Sequence, residues 1–73
     1  MYYVDVPKVR GKMGEKEYSI TALSDELDIS RNSLASYLEN PKKIPYEVIS
    51  RMASILCDSP DEARRIFFSQ KLT

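Results

Sequence analysis

The chain has 73 residues, 42% of them hydrophobic, and its eleven basic and eleven acidic side chains leave a formal net charge of zero. This length predicts one domain, near the lower size limit for folding without disulfides or metals. The single cysteine, Cys57, excludes an internal disulfide and is typical of the cytoplasm; it is interpreted as a small hydrophobic residue near a helix end. Neither an apolar stretch of membrane-spanning length nor a signal peptide is evident, so no membrane partner is expected.

The sequence lacks several patterns that often carry enzyme chemistry. It contains no histidine, no cysteine cluster and no glycine-rich phosphate loop. Asp25, Glu26 and Asp28 are close in sequence but lack the spacing of metal ligands, and they are interpreted as a solvated helix face. We therefore expect no catalytic site, no metal site and no cofactor.

The residue pattern predicts an all-α fold of five helices and no paired strands. The approximate bounds of the helices are 7–16, 20–27, 31–39, 45–56 and from 60 onward. Residues 1–6 are expected to form an extended arm folded back on the single domain of residues 7–73. Asp5 is placed to cap the first helix. Gly11 and Gly14 are costly inside that helix and are interpreted as marks of a close approach by another helix.

The last two helices carry apolar stripes and a clear start signal. Val48, Met52 and Ile55 recur at helical spacing, which predicts the buried stripe of the fourth helix. Ser59 and Glu62 form a capping box, with a proline at the first helical position, so the fifth helix is expected to begin at residue 60. The core-facing residues predicted for that helix are Ala63, Ile66 and Phe67.

Residues 19–40 contain two short helices joined by a tight turn. Leu23 and Leu27 share one face of the first helix, and Leu34 and Leu38 repeat that spacing in the second. The serines that precede the two helices, Ser19 and Ser30, are placed to cap them. Two helices across a turn of this length form a helix-turn-helix, whose second helix enters a DNA groove in many DNA-binding proteins.

This stretch resembles the Cro/repressor-type helix-turn-helix of temperate phages. The matching residues are Ala22-Leu23-Ser24, Leu27-Asp28-Ile29-Ser30-Arg31, Leu34 and Tyr37-Leu38. Residues 9–13 and 67–71 resemble the first helix and the C-terminal tail of small Cro-like phage regulators from Gram-positive hosts. The resemblance covers about residues 7–73. It implies a five-helix lambda-repressor-like domain of the DNA-binding type, in the cytoplasm of a bacterial host.

By this resemblance, the positions of the second helix that reach base edges or phosphates are Arg31, Asn32, Ser33 and Ser36, with Ala35 beside them. Arginine can pair with guanine and asparagine with adenine, each pair giving about 1–3 kcal/mol of discrimination. Lys42 and Lys43, in the loop that follows, are candidates for phosphate or acidic contacts. The alternative interpretation of Arg31 and Asn32 is an ordinary polar first turn of a helix. Tyr37 is expected to pack in the core.

Several positions depart from the family pattern. Asp28 replaces the usual glycine of the turn, although aspartate tolerates the left-handed conformation better than most residues. Ile20 replaces a glutamine that contacts the DNA backbone, and Ser36 replaces a long polar side chain. Residues 20–44 carry three basic and four acidic side chains, whereas DNA-binding domains usually present a basic surface.

Two functions of different classes follow. In one, the protein is a Cro-like repressor that binds operator DNA through the second helix of the motif. In the other, it is an antirepressor, or modulator of repression, that holds the N-terminal helix-turn-helix domain of a phage repressor and blocks its DNA binding. A third and less favoured function is that of an antitoxin or another host helix-turn-helix protein.

The zero net charge, Ile20 and Ser36 favour the antirepressor. Ile20 and Ala35 are interpreted as exposed apolar residues of a partner-binding face. The acidic side chains that would pair with basic residues of the repressor are Asp25, Asp28 and Glu39. Operator DNA, reached directly or through the repressor, stays an alternative partner. Homodimer formation also stays an alternative, since an apolar tail can pack either in a dimer interface or in the core. This tail is formed by Ile66, Phe67, Phe68 and Leu72.

Overall fold

The structure, a computed structural model, describes the backbone of residues 2–70 and the side chains of residues 4–68. Its five α-helices are α1 (Val6–Glu15), α2 (Ile20–Leu27), α3 (Arg31–Glu39), α4 (Tyr46–Leu56) and α5 (Pro60–Phe67). A single 3₁₀ turn, Pro41–Lys43, connects α3 to α4. Two short strands, β1 (Tyr2–Tyr3) and β2 (Ser69–Gln70), flank the helices. Between residues 2 and 70, no helix is long and apolar enough to cross a membrane.

Side-chain caps fix where four of the helices begin. Asp5, Ser19, Ser30 and Ser59 each accept a hydrogen bond from a backbone N–H three residues later, at 3.0–3.3 Å. These oxygens satisfy donors that the first turn of a helix leaves unpaired, and each cap is worth about 1 kcal/mol. The predicted bounds of α2 and α3 and the start of α5 are thereby confirmed, while α1 begins one residue earlier than predicted.

The prediction that the chain has no paired strands is wrong. β1 and β2 run antiparallel, with Tyr2 opposite Gln70 and Tyr3 opposite Ser69. The Asp5 N–H continues the contact by donating to the Ile66 carbonyl at 2.8 Å. The N-terminal arm therefore folds back on the body, as predicted, and does so by pairing with the other end of the chain.

One apolar core lies between the helices. It contains the predicted residues Leu23, Leu27, Leu34, Leu38, Ile66 and Phe67, together with Val9 and Met13 of α1. The predicted stripe of α4 needs correction, because Val48 and Ile55 are only half-buried. The buried residues of α4 are Ile49, Met52, Ala53 and Leu56. The stripe is rotated by one position because Ala53, a small residue with little weight in an apolar pattern, lies on the inner face.

The two glycines of α1 do not mark a close helix approach, contrary to the sequence-based interpretation. A Cβ atom built on Gly11 or Gly14 would meet nothing within 4 Å. We therefore expect Gly11→Ala to raise the free energy of unfolding by about 0.5–1 kcal/mol, because alanine loses less backbone entropy in a helix interior. Urea unfolding followed by circular dichroism measures this gain. A loss of stability in Gly11→Ala would mean that α1 is not helical at this position.

A charged cluster joins α1 to the junction of α4 and α5. Lys12 is only 8% exposed. Its Nζ lies 2.9 Å from Glu62 Oε1, 3.3 Å from Glu15 Oε1 and 3.5 Å from Asp58 Oδ2. Hydrogen bonding to Glu62 above all, and also to Glu15, raises the pKa of the Lys12 ammonium. Glu62 also accepts the Asp58 N–H at 3.0 Å, so its carboxylate serves both the cluster and the start of α5.

The same cluster makes the fold sensitive to acid. Lys16 lowers the pKa of the Asp58 carboxyl, and the Asp58 N–H together with Lys12 lowers the pKa of Glu62. The folded protein then binds fewer protons than the unfolded chain as the pH approaches the ordinary carboxyl pKa, about 4. The stabilisation is complete above that pH and is lost as the pH falls through the lowered folded-state values.

We expect Lys12→Met to flatten this acid dependence. Thermal unfolding at pH 7 and pH 3 measures the drop in Tm, which should be smaller in Lys12→Met than in the wild type. Lys8→Met is the matched control, since Lys8 is exposed and pairs only loosely with Asp5, at 3.8 Å. An equal drop in Lys12→Met and the wild type would contradict the role given to the cluster.

Candidate macromolecule-binding face

The turn between α2 and α3 has a defined hydrogen-bonded geometry. Asp28 adopts the left-handed conformation, with φ 57° and ψ 43°, as the sequence predicts. The Ile29 N–H donates to the Ser24 carbonyl at 3.0 Å, and the Asp28 N–H donates to the Asp25 carbonyl at 3.2 Å. This pair of bonds is a Schellman motif, which ends α2 sharply. Ser30 then caps α3, so only three residues separate the two helices.

The residues that α3 buries in the core determine which side of the helix faces solvent. Leu34 and Leu38 are buried in the core, which turns the opposite side of the helix to solvent. We call this exposed side the α3 face, and its members are Arg31, Asn32, Ala35, Ser36 and Glu39. Their spacing of three to four residues places them on one side of the helix. These five predicted site residues are therefore brought together on a single surface.

The polar groups of the α3 face are free to bind a partner. Within the part of the chain that the structure describes, the side chains of Arg31, Asn32, Ser36 and Glu39 form no hydrogen bond or ion pair. By contrast, Lys8 and Lys12 of α1 and Lys16, which directly follows it, all contact carboxylates. A partner that covers the α3 face displaces water and breaks no internal contact.

Two predicted members of the face have other roles. Ile20 was expected to be exposed, but it is half-buried and packs against the core. Ser33 is also half-buried, and the Ser30 hydroxyl donates to Ser33 Oγ at 2.9 Å while the Ser33 N–H donates to Ser30 Oγ. Ser33 therefore belongs to the cap of α3. Tyr37, expected in the core, is half-buried against it.

Acidic side chains lie at the wrong end of α2 for its own stability. Asp25, Glu26 and Asp28 are exposed, and the last turn of α2 contains no basic residue. The C-terminus of a helix carries partial negative charge and is stabilised by cations. Glu39 ends α3 in the same way, again with no basic residue in the last turn. Sequence reasoning interpreted some of these acids as a solvated face and missed that their positions oppose the helix dipoles.

Basic side chains follow α3 directly. Lys42 and Lys43 were predicted in a loop, and they lie exposed in the 3₁₀ turn after the helix. α3 has nine residues, so it spans about 14 Å at 1.5 Å per residue. The surface thus runs from an acidic turn, along the α3 face, to a basic turn.

A second exposed surface lies between α4 and α5. A groove of about 450 Å³ is lined in part by Tyr46, Cys57, Ala63 and Phe68. Tyr46 is 67% exposed, and its ring centroid lies 6.0 Å from that of Phe68. Cys57 lies half-buried at the C-terminal end of α4, as predicted, and burial raises the pKa of its thiol. Leu72, which the sequence grouped with this apolar tail, lies outside the described residues.

Neither metal chemistry nor known relatives add to this description. Among the described residues, no group of three or more His, Cys, Asp or Glu side chains is placed to hold a metal ion. No family model, no curated protein and no solved structure matches the chain.

Proposed function

We propose that this protein regulates a phage lysis–lysogeny switch as an antirepressor. In this proposal, α2 and α3 act as the helix-turn-helix of a lambda-repressor-like domain and bind the N-terminal helix-turn-helix domain of a phage repressor. The repressor then cannot bind its operator. The observation that carries the proposal is an exposed α3 face without internal polar contacts, next to carboxylates that form no ion pair within the described part of the chain.

The charge of the surface favours a protein partner over DNA. A DNA-binding surface gains affinity by neutralising phosphates, and carboxylates near the DNA oppose that gain. Asp25 lies in the last turn of α2, Asp28 lies in the turn that leads into α3, and Glu39 ends α3. A repressor presents basic residues on its own DNA-binding surface, so these acids would meet charges of opposite sign. The partner would then supply cations to the last turns of α2 and α3, neither of which contains a basic residue of its own.

The shape of the surface is compatible with helix packing. Ala35 and Ser36 are small and exposed in the middle of the α3 face, where a partner's helix can approach closely. α3 alone is too short for a specific interface, which commonly buries about 800 Å² on each partner. The turn and the end of α2 must therefore contribute, and this places the acidic residues inside the contact.

Direct operator binding is the alternative function. Arg31 and Asn32 are exposed in the first turn of α3, and their side chains have no partner among the described residues. Both side chains have the geometry for two hydrogen bonds to a base edge. Lys42 and Lys43 would contact phosphates in this alternative.

A displacement assay separates the two functions. A labelled duplex that carries the phage's promoter region is bound to the phage repressor, and fluorescence anisotropy is followed while this protein is added. The antirepressor releases free DNA, so the anisotropy falls to that of the bare duplex. The same duplex without repressor, titrated at about 50 and 200 mM salt, tests direct binding. Binding at about 10⁻⁸ M or tighter, weakened steeply by salt, would establish the Cro-like repressor instead.

A further inference from the structure

One backbone carbonyl at the turn accepts a hydrogen bond from a side chain in a distant part of the chain. The Schellman motif at the end of α2 pairs the carbonyls of Ser24 and Asp25, but it leaves that of Leu27 outside its two bonds. Arg51 of α4 donates from Nη1 to the Leu27 carbonyl at 3.3 Å. Leu27 is the last residue of α2 and directly precedes the left-handed Asp28. The hydrogen bond therefore holds the point at which the chain changes direction.

Arg51 also supplies a charge that α2 lacks. The last turn of α2 has no basic residue and carries Asp25 and Glu26. Arg51 and Glu26 line the same surface groove between α2 and α4. A guanidinium at this helix end is favourable for the dipole, and its bond to a carbonyl is charge-assisted. Because Met52, the next residue, is fully buried, α4 is anchored in the core and offers a fixed base for the contact.

We infer that Arg51 is a positioning residue for the α3 face. It ties the turn to α4 and so sets the direction in which α3 leaves the turn. The inference rests on the proposed function only where it concerns partner binding, since the effect on the turn is a property of the free protein. Arg51 lies outside the α2–turn–α3 segment, so local sequence patterns do not reveal this role.

Amide hydrogen exchange of the free protein is the first test. In Arg51→Met, the amide of Ile29 should exchange about tenfold faster relative to the core amides of α4, because a charge-assisted hydrogen bond at the turn is lost. Arg51→Lys keeps a donor and a charge, so its rates should stay within about threefold of the wild type. Arg10→Met is the control, since Arg10 is exposed and has no side-chain partner among the described residues. If the exchange rates of the turn amides in Arg51→Met rise only as much as those of the core amides, the inference would be overturned.

Repressor affinity, measured by titration calorimetry on the same variants, is the second test. We expect Arg51→Met to bind the repressor domain about tenfold more weakly, with Arg51→Lys recovering most of the affinity and Arg10→Met unchanged. If the turn amides of Arg51→Met exchange faster but its repressor affinity is unchanged, the inference that the turn positions the α3 face would be overturned. A wild-type protein that does not bind the repressor at all would overturn the proposed function, and the exchange data would still decide the role of Arg51 in the turn.

Discussion

Reversing two acidic charges, in the double variant Asp25→Lys with Glu39→Lys, is expected to stabilise the fold and to abolish most of the repressor binding. Each new lysine lies in the last turn of a helix that has no basic residue there. A cation at this position is worth about 0.3–1 kcal/mol per site. Towards a basic repressor surface, the same lysines create like-charge contacts. Such contacts cost about 2–3 kcal/mol, or roughly a hundredfold in affinity.

A control with the same change in net charge separates position from total charge. Glu47 and Asp61 are exposed acids in the first turns of α4 and α5, where negative charge is favourable. Glu47→Lys with Asp61→Lys should therefore lower stability and leave repressor binding close to that of the wild type. Urea unfolding and calorimetric titration measure both quantities. Tighter binding of the Asp25→Lys, Glu39→Lys variant to operator DNA, with no loss of repressor affinity, would support the Cro-like repressor.

Phe67→Ala is expected to have the largest effect on stability. Phe67 is the largest side chain that is fully buried within residues 4–68, with 0% exposure. Removing a buried phenylalanine ring costs about 3–5 kcal/mol. A domain of this length has a total stability of about 4–11 kcal/mol, so the variant should lose between about a quarter and all of it.

The adjacent residue gives a sharp comparison. Phe68 is half-buried and lies against Tyr46 at the edge of the α4–α5 groove. Phe68→Ala should cost only about 1–2 kcal/mol, because less apolar area returns to water. Denaturant midpoints of the two variants, compared at equal slope, measure the difference. Equal losses would mean that the C-terminal end of α5 does not pack in the register described.

Local chemistry explains what the sequence predicted well. The ends of α2 and α3 depend on Ser19, Ser30 and the left-handed Asp28, all of which act within three residues of the helix that they start or end. The α3 face follows from Leu34 and Leu38, because burial of one side of a helix exposes the other. Fold class and most of the candidate site were therefore predictable from short segments.

Contacts between distant residues explain what the sequence did not predict. β1 pairs with a strand at the opposite end of the chain, and Lys12 meets carboxylates of α5 and of the turn before it. The contact of Arg51 with Leu27 also joins two helices that are not consecutive. Ile20 was expected to be exposed because the corresponding position contacts DNA in the helix-turn-helix proteins that this segment resembles, but Ile20 is half-buried against the core. No periodicity within a single helix contains this information.

Mapping the repressor contact on this protein tests whether the α3 face is the binding surface. Amide chemical shifts of the ¹⁵N-labelled protein are recorded while the unlabelled N-terminal domain of the phage repressor is added. The largest changes are expected on Asp25, Asp28 and the α3 face, with little change along α5. Changes centred on the Tyr46–Phe68 groove would contradict binding through the α3 face. So would the absence of any change at repressor concentrations up to about 100 times a nanomolar dissociation constant.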